Sequence, residues 1–397
     1  METKISETSV AIGTDEKFGN IISKIRSLFS KEIGFIPLHA PYFGGNEKAY
    51  VNETIDSTFV SSVGAFVDRF ESMMQEITGA KYAVATTNGT IALHLALMVA
   101  GVKQGDEVLT QALTFVATAN AISHAGAKPI FIDVDRSNLG MSPESLETWL
   151  KANALKDPEG NCINRLTGKR IAACVPMHTF GFPLDIISIA SICKRYGITL
   201  VEDAAESLGS YVGERHTGTF GLLGTFSFNG NKTVTCGGGG AVITNDPAVA
   251  KLAKHLSTTA KVPHSWEFAH DAIGYNYRMP NLNAALACAQ LEQLQVFLAS
   301  KRMLATDYAQ FFSKTDIEFV QEQFGTTANY WLNTIIFKEP EEKEAFLEYA
   351  NKNQVMCRPI WQLMNHLPMY AECAAGDLSV SEWLASRVVN IPSSYRP

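Results

Sequence analysis

The chain has 397 residues, of which 46% are hydrophobic and 18% are charged, and its formal net charge is −7. This composition is that of a globular protein with a large core, and the length predicts two domains. The acidic balance argues against nucleic-acid binding, and no basic cluster is present for an anionic membrane surface. No apolar run approaches the roughly 18 residues that a membrane-spanning helix needs.

The seven cysteines are scattered along the chain, and none forms a Cys-x-x-Cys pair. This spacing argues against a zinc site and against a dithiol redox site, so we expect no metal. An odd number of cysteines indicates reduced thiols. The polar N-terminal segment has no apolar stretch of the kind found in secretory signals. We therefore expect a cytoplasmic protein.

Hydrophobic periodicity divides the chain into three parts. Residues 1–36 are predicted to form an N-terminal arm with a short amphipathic helix. Strand-like and helical runs then alternate, which predicts a large α/β domain over residues 37–289. A long amphipathic helix over residues 281–312 leads into a smaller α/β domain, placed at residues 290–397. Two further predictions are a strand over residues 330–337 and a surface excursion over residues 151–170.

The alternation of strands and helices predicts a mostly parallel sheet that is covered by helices on both faces. In such sheets the ligand binds at the carboxyl ends of the strands. This rule predicts that the segments following four of the predicted strands lie close together in space. These segments are residues 86–90, residues 111–115, His178 and Glu202–Asp203.

Lys232 stands between a strand-like run and four consecutive glycines, Gly237 to Gly240, with no carboxylate close to it in the sequence. Partial burial of such a lysine would favour its neutral form, which is an amine nucleophile. A solvated lysine on an exposed hairpin loop is the alternative, since most lysines are exposed.

The segment Asn88-Gly89-Thr90 lies between a predicted strand and a predicted helix. A helix N-terminus offers free N–H groups and the positive end of the helix dipole, which suit a phosphate group. Gly89 would allow close approach of the backbone, and Thr90 would add a hydroxyl. An ordinary helix cap is the alternative, because such caps have the same composition.

Other residues near the predicted strand ends each have two interpretations. Asp203 would face the ligand crevice and could hold a protonated pyridine nitrogen, or it could cap the turn that follows. Phe115 could lie flat on a cofactor ring, or it could belong to the core. Ser227 and Asn229 are two residues apart, so they point the same way and offer hydrogen bonds.

These features occur together in one chain order, which favours the functional interpretation over the separate alternatives. A phosphate cradle, an aromatic residue, an acid, a hydroxyl, an amide and a lysine all fall at predicted strand ends. The combination predicts that Lys232 forms a Schiff base with pyridoxal 5′-phosphate.

The chain resembles the sugar aminotransferases of the DegT/DnrJ/EryC1/StrS family, which have the fold type I, aspartate-aminotransferase-like architecture of pyridoxal-phosphate enzymes. It is most similar to the LegC-type branch. This narrower resemblance rests on the N-terminal arm and on residues 41–47, 161–164, 177–181 and 227–232. The motifs that carry the family resemblance are residues 59–64, 88–94, 113–120, 201–209, 218–221, 226–232, 237–241 and 274–280.

The resemblance implies roles for individual residues. Lys232 forms the Schiff base and moves a proton, Asp203 binds the pyridine nitrogen, Glu206 lies near the ring hydroxyl, and Phe115 stacks on the ring. Asn276 completes the phosphate site of the neighbouring subunit, which implies a homodimer with shared active sites. The residues implied to bind the cofactor are Asn88, Gly89, Thr90, Phe115, Asp203, Glu206, Ser227, Asn229, Lys232 and Asn276. Those implied to lie near the sugar nucleotide are Phe59, Ser61, His178 and Arg278.

The LegC-type resemblance implies a reaction as well. Glutamate would donate an amino group to C4 of a UDP-4-keto-6-deoxy-N-acetylhexosamine, on a route to bacillosamine or legionaminic acid. One alternative is another nucleotide-linked keto sugar, of the perosamine or 3-amino-sugar type. A second is a non-catalytic regulator or scaffold with the same fold. Relatives that remove a sugar hydroxyl carry histidine at the lysine position, so Lys232 argues against that reaction.

Overall fold

The computed structural model describes residues 14–397 of the chain. Within that range the chain forms twelve α-helices and sixteen strands. The helices are α1 (Thr14–Leu28), α2 (Glu47–Asp56), α3 (Ala65–Thr78), α4 (Gly89–Val99), α5 (Val116–His124), α6 (Pro143–Asn153), α7 (Ile186–Tyr196), α8 (Pro247–Ser257), α9 (Asn281–Leu291), α10 (Leu294–Phe312), α11 (Pro340–Lys352) and α12 (Ser379–Ala385). The strands are β1 (Tyr82–Thr86), β2 (Glu107–Gln111), β3 (Lys128–Ile132), β4 (Ala154–Lys156), β5 (Cys162–Asn164), β6 (Ile171–Val175), β7 (Thr199–Asp203), β8 (Tyr211–Val212), β9 (Arg215–His216), β10 (Leu223–Ser227), β11 (Gly240–Thr244), β12 (Glu318–Phe319), β13 (Thr326–Thr327), β14 (Asn333–Ile336), β15 (Arg358–Pro359) and β16 (Val388–Ile391).

A seven-stranded sheet organises the larger part of the molecule, with strand order β1-β11-β10-β7-β6-β2-β3. Strand β11 is antiparallel to both of its neighbours, and the pairs from β10 to β3 are parallel. The predicted α/β fold with a mostly parallel sheet is therefore confirmed.

Both faces of this sheet are buried. Alternate residues of a strand point to opposite faces, so each strand contributes side chains to two cores. In β11, Val242 packs in one core with Leu97 of α4. Its neighbours Ala241 and Ile243 pack in a second core with Phe70 of α3. Near-continuous apolar strands in the sequence are the consequence of this two-sided burial.

The C-terminal part contains a four-stranded antiparallel sheet, with strand order β12-β14-β16-β15. Helix α1, predicted as part of an arm, packs into the core of this sheet: the ring of Phe18 lies 5.4 Å from that of Phe346 and 6.3 Å from that of Phe337. Helix α10 joins the two cores, because Leu298 packs with the large sheet and Tyr308 packs with the C-terminal sheet. The division of the chain near residue 290 stays a prediction.

Three elements differ from the sequence prediction. The single helix predicted over residues 281–312 is two helices, because the amide of Gln293 bonds to the carbonyl of Gln290, one residue short of the α-helical spacing. The strand predicted from residue 330 begins only at Asn333, since Tyr330 has a φ of +48°, which a strand does not allow. The predicted surface excursion contains the hairpin of β4 and β5.

No helix within residues 14–397 combines the length and apolarity needed to cross a bilayer. The seven cysteines are all free thiols, and six of them are buried.

Candidate active site

A cavity of about 420 Å³ opens at the carboxyl ends of the large sheet. Segments that follow β1, β2, β6, β7 and β10 all contribute to its wall, as the strand-end rule predicts. The lining residues are Asn88, Gly89, Thr90, Leu93, Phe115, Ala117, Met177, Asp203, Ala205, Glu206, Ser227, Asn229, Asn231, Lys232, Trp331 and Trp361.

Lys232 lies in this cavity and not on an exposed loop, since its side chain is only 13% exposed. Although no carboxylate is close to Lys232 in the sequence, the fold brings one to it. Its Nζ donates a hydrogen bond of 3.0 Å to Oε1 of Glu206, which is 26 residues away in the chain. On another side, Nζ lies 3.9 Å from the ring centre of Trp331.

Glu206 is almost fully buried, and both of its oxygens have a partner. Oε1 accepts from Lys232, and Oε2 accepts from the backbone N–H of Phe180 at 2.9 Å. Burial raises the pKa of Glu206 to about 7, although the Lys232 ammonium and the Phe180 amide act in the opposite direction. A carboxyl group with this pKa can gain or lose a proton near neutral pH.

Asp203 ends β7 with its carboxylate buried at the cavity wall. Thr118 donates to its Oδ2 at 2.7 Å, and the amide of Ala205 donates to its Oδ1 at 3.1 Å. The turn-capping alternative and the ligand-facing interpretation are thus compatible. Burial raises the pKa of Asp203, and the bonds from Thr118 and Ala205 oppose that shift. A cation brought to this carboxylate would stabilise its charged form further.

Helix α4 begins at Gly89 on the cavity wall, and the side chain of Asn88 caps it by accepting from the amide of Ile91 at 2.9 Å. The first amides of a helix have no partner inside the helix, so they are free to bind an anion. A Cβ at Gly89 would lie 2.7 Å from Cβ of Ser227. The helix start and Ser227 thus converge on a narrow cradle that a larger residue would fill.

We expect Gly89→Ala to weaken cofactor binding at least about tenfold, because the added methyl group forces the cradle apart. The dissociation constant of pyridoxal 5′-phosphate, measured by fluorescence titration, would report the change. Gly19→Ala is the matched control, since its Cβ would meet only Tyr349 Oη at an ordinary 3.5 Å. Equal affinities of wild type and Gly89→Ala would contradict the cradle.

Aromatic side chains form the wall opposite the cradle. Phe115 is 47% exposed, so it is not a core residue, and its ring lies 6.0 Å from that of Trp361. Phe180 does not line the cavity but packs against both tryptophans, with its ring 4.9 Å from that of Trp361 and 6.3 Å from that of Trp331. Sequence reasoning missed both tryptophans, since they come from the C-terminal part and follow no strand of the large sheet.

His178 is not among the residues that line the cavity, and its predicted place near the sugar nucleotide stays a prediction. Its ring is fully buried, with Nε2 at 3.1 Å from Oε2 of Glu202. Glu202 also accepts from the amides of Gly218 and Gly221 at 2.8 and 2.7 Å. His178 and Glu202 therefore brace the turn before β10, below the site.

Four other predicted site residues lie outside the cavity of their own chain. Phe59 and Ser61 are exposed, and their carbonyls accept from the side chain and the amide of Asn281, at 2.7 and 2.6 Å. Asn276 is exposed and accepts from Arg278 Nε at 2.8 Å. The cavity lining contains none of these four residues.

A larger groove of about 640 Å³ lies between α6 and residues 374–377. Asp133 is the buried carboxylate of this groove, and it already has hydrogen-bond partners within the fold. It accepts from the amides of Val380 and Ser381 at 2.9 and 2.7 Å. Asp133 thus caps α12, and the chemistry lies in the smaller cavity around Lys232.

Comparison with known proteins identifies the family. The model of the DegT/DnrJ/EryC1/StrS aminotransferase family matches residues 41–396. The chain belongs to this family. It is 36% identical to the GDP-perosamine synthase of Escherichia coli O157:H7, over 90% of this chain and 93% of the relative. It is also 36% identical to the GDP-perosamine synthase of Vibrio cholerae, over 90% of this chain and 94% of the relative. The crystal structure of the aminotransferase TlmJ from Streptoalloteichus hindustanus superposes with a TM-score of 0.82 at 28% identity, over 91% of this chain and 94% of that one.

The chain is therefore a pyridoxal-phosphate-dependent sugar aminotransferase, as the resemblance implied. The cavity fits this cofactor in three respects. It has an anion cradle at Gly89 and Ser227, a buried carboxylate at Asp203, and an amine at Lys232. Neither the family nor the cavity specifies the sugar.

Proposed function

We propose that the protein transfers an amino group from L-glutamate to the keto carbon of a nucleotide-linked sugar. The observation that carries the proposal is the placement of the Lys232 amine beside the buried Glu206, with the Asp203 carboxylate and the Gly89 cradle on the walls of the same cavity. A non-catalytic scaffold would not need this set of groups. The free cysteines support the proposed cytoplasmic location.

For the sugar, the relatives favour the perosamine alternative over the UDP-linked sugar expected from the sequence. The two relatives compared above are GDP-perosamine synthases, matched along almost their whole length. We therefore propose a GDP-linked keto sugar of the perosamine type as the substrate. A UDP-4-keto-6-deoxy-N-acetylhexosamine is the second candidate, favoured by the LegC-type features in residues 41–47 and 177–181.

Bound pyridoxal phosphate supplies an electron sink for carbon–hydrogen bond cleavage next to nitrogen. The start of α4 and Ser227 would hold its phosphate, and Asp203 its protonated ring nitrogen. Thr118 and Ala205 orient the Asp203 carboxylate through both oxygens, so it needs little reorganisation to receive a cation. Phe115 and Trp361 would contribute aromatic surface beside the bound cofactor, since both line the cavity with their rings 6.0 Å apart.

Lys232 carries out the proton transfers, because it is the amine at the centre of the cavity. Its ammonium form cannot accept a proton, so a neighbouring base has to take one proton from Nζ first. Glu206 Oε1 is at hydrogen-bond distance from Nζ, and its pKa of about 7 lets it hold that proton near neutral pH. We propose that Glu206 is the proton acceptor for Lys232.

Glu206→Gln is expected to lower kcat about 100-fold, because an amide cannot accept the proton from Lys232. Glu206 is ionised above pH 7 and protonated below it. The wild-type rate should therefore fall as the pH drops through about 7, and this acidic limb should be absent in the variant. The measurement is the pH dependence of kcat for 2-oxoglutarate formation.

Glu292→Gln serves as the control for this experiment, since Glu292 pairs with Arg69 at the surface at 2.5 Å. We expect it to keep both the wild-type rate and the acidic limb. A Glu206→Gln variant that retained an acidic limb with a midpoint near pH 7 would show that another group takes the proton.

A panel of GDP-linked and UDP-linked 4-keto-6-deoxy sugars tests the proposed substrate. Each sugar is incubated with the holoenzyme and L-glutamate, and both 2-oxoglutarate and the amino-sugar nucleotide are measured. The proposal predicts the highest kcat/KM with the GDP-linked sugar. Preference for the UDP-linked N-acetyl sugar would select the second candidate, and no 2-oxoglutarate with any member would refute glutamate-dependent sugar transamination.

We also propose a homodimer in which the two protomers share their active sites. Asn276 and Arg278 lie outside the cavity of their own chain but flank exposed apolar side chains, with Trp266 78%, Phe268 80% and Ile273 86% exposed. Such a patch is typical of an interface. It would bring Asn276 to the cradle of the second protomer.

Mixing of two inactive variants tests the shared site. Lys232→Ala and Asn276→Ala disable different parts of the proposed site, so a mixed dimer regains one intact site. We expect each variant to be impaired alone, and an equimolar mixture to recover about a quarter of the activity of the same amount of wild type after random subunit exchange. No recovery in a mixture that light scattering and mass spectrometry show to contain mixed dimers would refute sharing through Asn276.

A further inference from the structure

Lys301 in α10 is a fully buried lysine, with 1% of its surface exposed. Its Nζ donates to the carbonyls of Ser393, Trp331 and Tyr330, at 2.6, 3.2 and 3.4 Å. Within residues 16–397 it forms no ion pair with a carboxylate. Buried lysines are rare and are usually paired with an acid, so three backbone carbonyls as the partners of one amine point to a specific role.

Two of the three carbonyls that Lys301 holds, those of Tyr330 and Trp331, belong to a strained turn. Tyr330 has a φ of +48°, a conformation that a bulky residue rarely adopts without external support. The preceding residue, Asn329, fixes the turn from the other side, because its Nδ2 donates to the carbonyls of Glu206 and Leu208 at 2.8 and 2.9 Å. The turn is therefore held between Lys301 and the backbone of Glu206.

The turn ends in Trp331, which contacts the reacting amine. Its ring nitrogen donates to the carbonyl of Asn231 at 2.7 Å, one residue before Lys232. Its ring centre is 3.9 Å from Lys232 Nζ. An aromatic face at this distance attracts an ammonium group. Trp331 thus restrains the position of Lys232 Nζ beside Glu206.

His39 lies close to the same group of residues. Burial lowers the pKa of His39 well below its usual range, and the neighbouring charges of Lys301 and Lys232 act in the same direction. The imidazole therefore stays neutral at physiological pH. It packs beside the two lysines without adding a positive charge of its own.

We infer that Lys301 is a positioning residue for the catalytic amine: by holding the carbonyls of Tyr330 and Trp331, it keeps the Trp331 indole against Lys232. The contact chain runs from Lys301 through the strained turn to the indole and then to Nζ. Loss of either the Lys301 amine or the Trp331 indole therefore removes the aromatic face from Lys232. The inference concerns the protein's own residues and holds whichever nucleotide sugar is the substrate.

The test measures the reactivity of the Lys232 amine and does not depend on turnover. The full chain is loaded with pyridoxamine 5′-phosphate, which leaves Lys232 free, and is treated briefly with acetic anhydride at pH 7. Acylation requires the neutral amine, and mass spectrometry of the Lys232 peptide gives its rate. We expect Trp331→Leu to raise this rate about threefold to tenfold, since the indole face against which Nζ lies is lost. Trp331→Phe keeps an aromatic face and should change it less.

Lys301→Met should raise the labelling rate of Lys232 in the same direction as Trp331→Leu, and the double variant should show no further increase. Lys343→Met is the matched control, because Lys343 is also buried and donates to a carbonyl, that of Ala385 at 3.1 Å, far from the site. It should leave the labelling of Lys232 unchanged, whatever its effect on Tm.

Two results would overturn the inference. In the first, the acylation rate of Lys232 is the same in Lys301→Met as in Lys343→Met, which would mean that Lys301 only stabilises the fold. In the second, Lys232 is acylated at the wild-type rate in Trp331→Leu, which would mean that the indole does not act on the amine. Should Lys301→Met fail to fold, Lys301→Gln gives the same comparison, because its shorter amide cannot reach all three carbonyls.

Discussion

Lys232→Ala is expected to abolish glutamate-dependent formation of 2-oxoglutarate, with a loss of at least about 10⁴-fold in kcat. The variant has no other amine at hydrogen-bond distance from Glu206 Oε1, since Lys232 is the only lysine among the residues that line the cavity. It should still bind the cofactor through the Gly89 cradle and Asp203, but without the yellow absorption band of the lysine-bound form. Coupled assay of 2-oxoglutarate and a visible spectrum check both parts.

Lys254→Ala is the control for Lys232→Ala, because Lys254 also pairs with a glutamate, Glu71 at 2.6 Å, but at the surface. We expect its rate and spectrum to match those of the wild type. Steady-state turnover by Lys232→Ala above the background of the uncatalysed reaction would rule out Lys232 as the reacting amine.

Asp203→Asn is expected to lower kcat about 100- to 1,000-fold, the range found when one preorganised electrostatic group is removed from an active site. The substitution keeps the shape of the side chain but removes the charge that would hold the protonated ring nitrogen. It also leaves one of the two donors, Thr118 or Ala205, without its acceptor. Single-turnover kinetics of the glutamate half-reaction would measure the loss directly.

Thr118→Val separates the charge of Asp203 from its orientation. This variant removes the hydrogen bond of 2.7 Å to Oδ2 but leaves the carboxylate in place, so we expect a loss of only about tenfold. If Asp203→Asn and Thr118→Val were equally impaired, orientation and not charge would be the main contribution of Asp203.

Much of the fold and part of the cavity could be predicted from the sequence. Apolar runs of strand length alternate with helical periods, so the parallel sheet and its strand ends are local properties. Asp203, Ser227 and the Asn88–Thr90 segment are adjacent in sequence to those ends. The structure accordingly places them around one cavity.

The pairing of Lys232 with Glu206 could not be read from the sequence, because nothing local indicates which carboxylate a turn will bring to the amine. The sequence showed an isolated cation, whereas the structure shows a hydrogen bond of 3.0 Å within a buried pair. His178 shows the opposite situation. It follows a strand of the sheet, but its side chain turns inward to Glu202 and leaves the cavity.

Sequence alone determined where Lys232, the Asn88–Thr90 segment and Asp203 lie, since parallel strands bring their carboxyl ends to one edge of a sheet. Tertiary structure alone decided what surrounds the amine. Trp331 and Trp361 are 99 and 129 residues beyond Lys232 in the chain, and they reach the cavity only through the packing of the C-terminal part on the large sheet. Such contacts depend on how whole elements dock, and that docking leaves no periodic signal in the sequence.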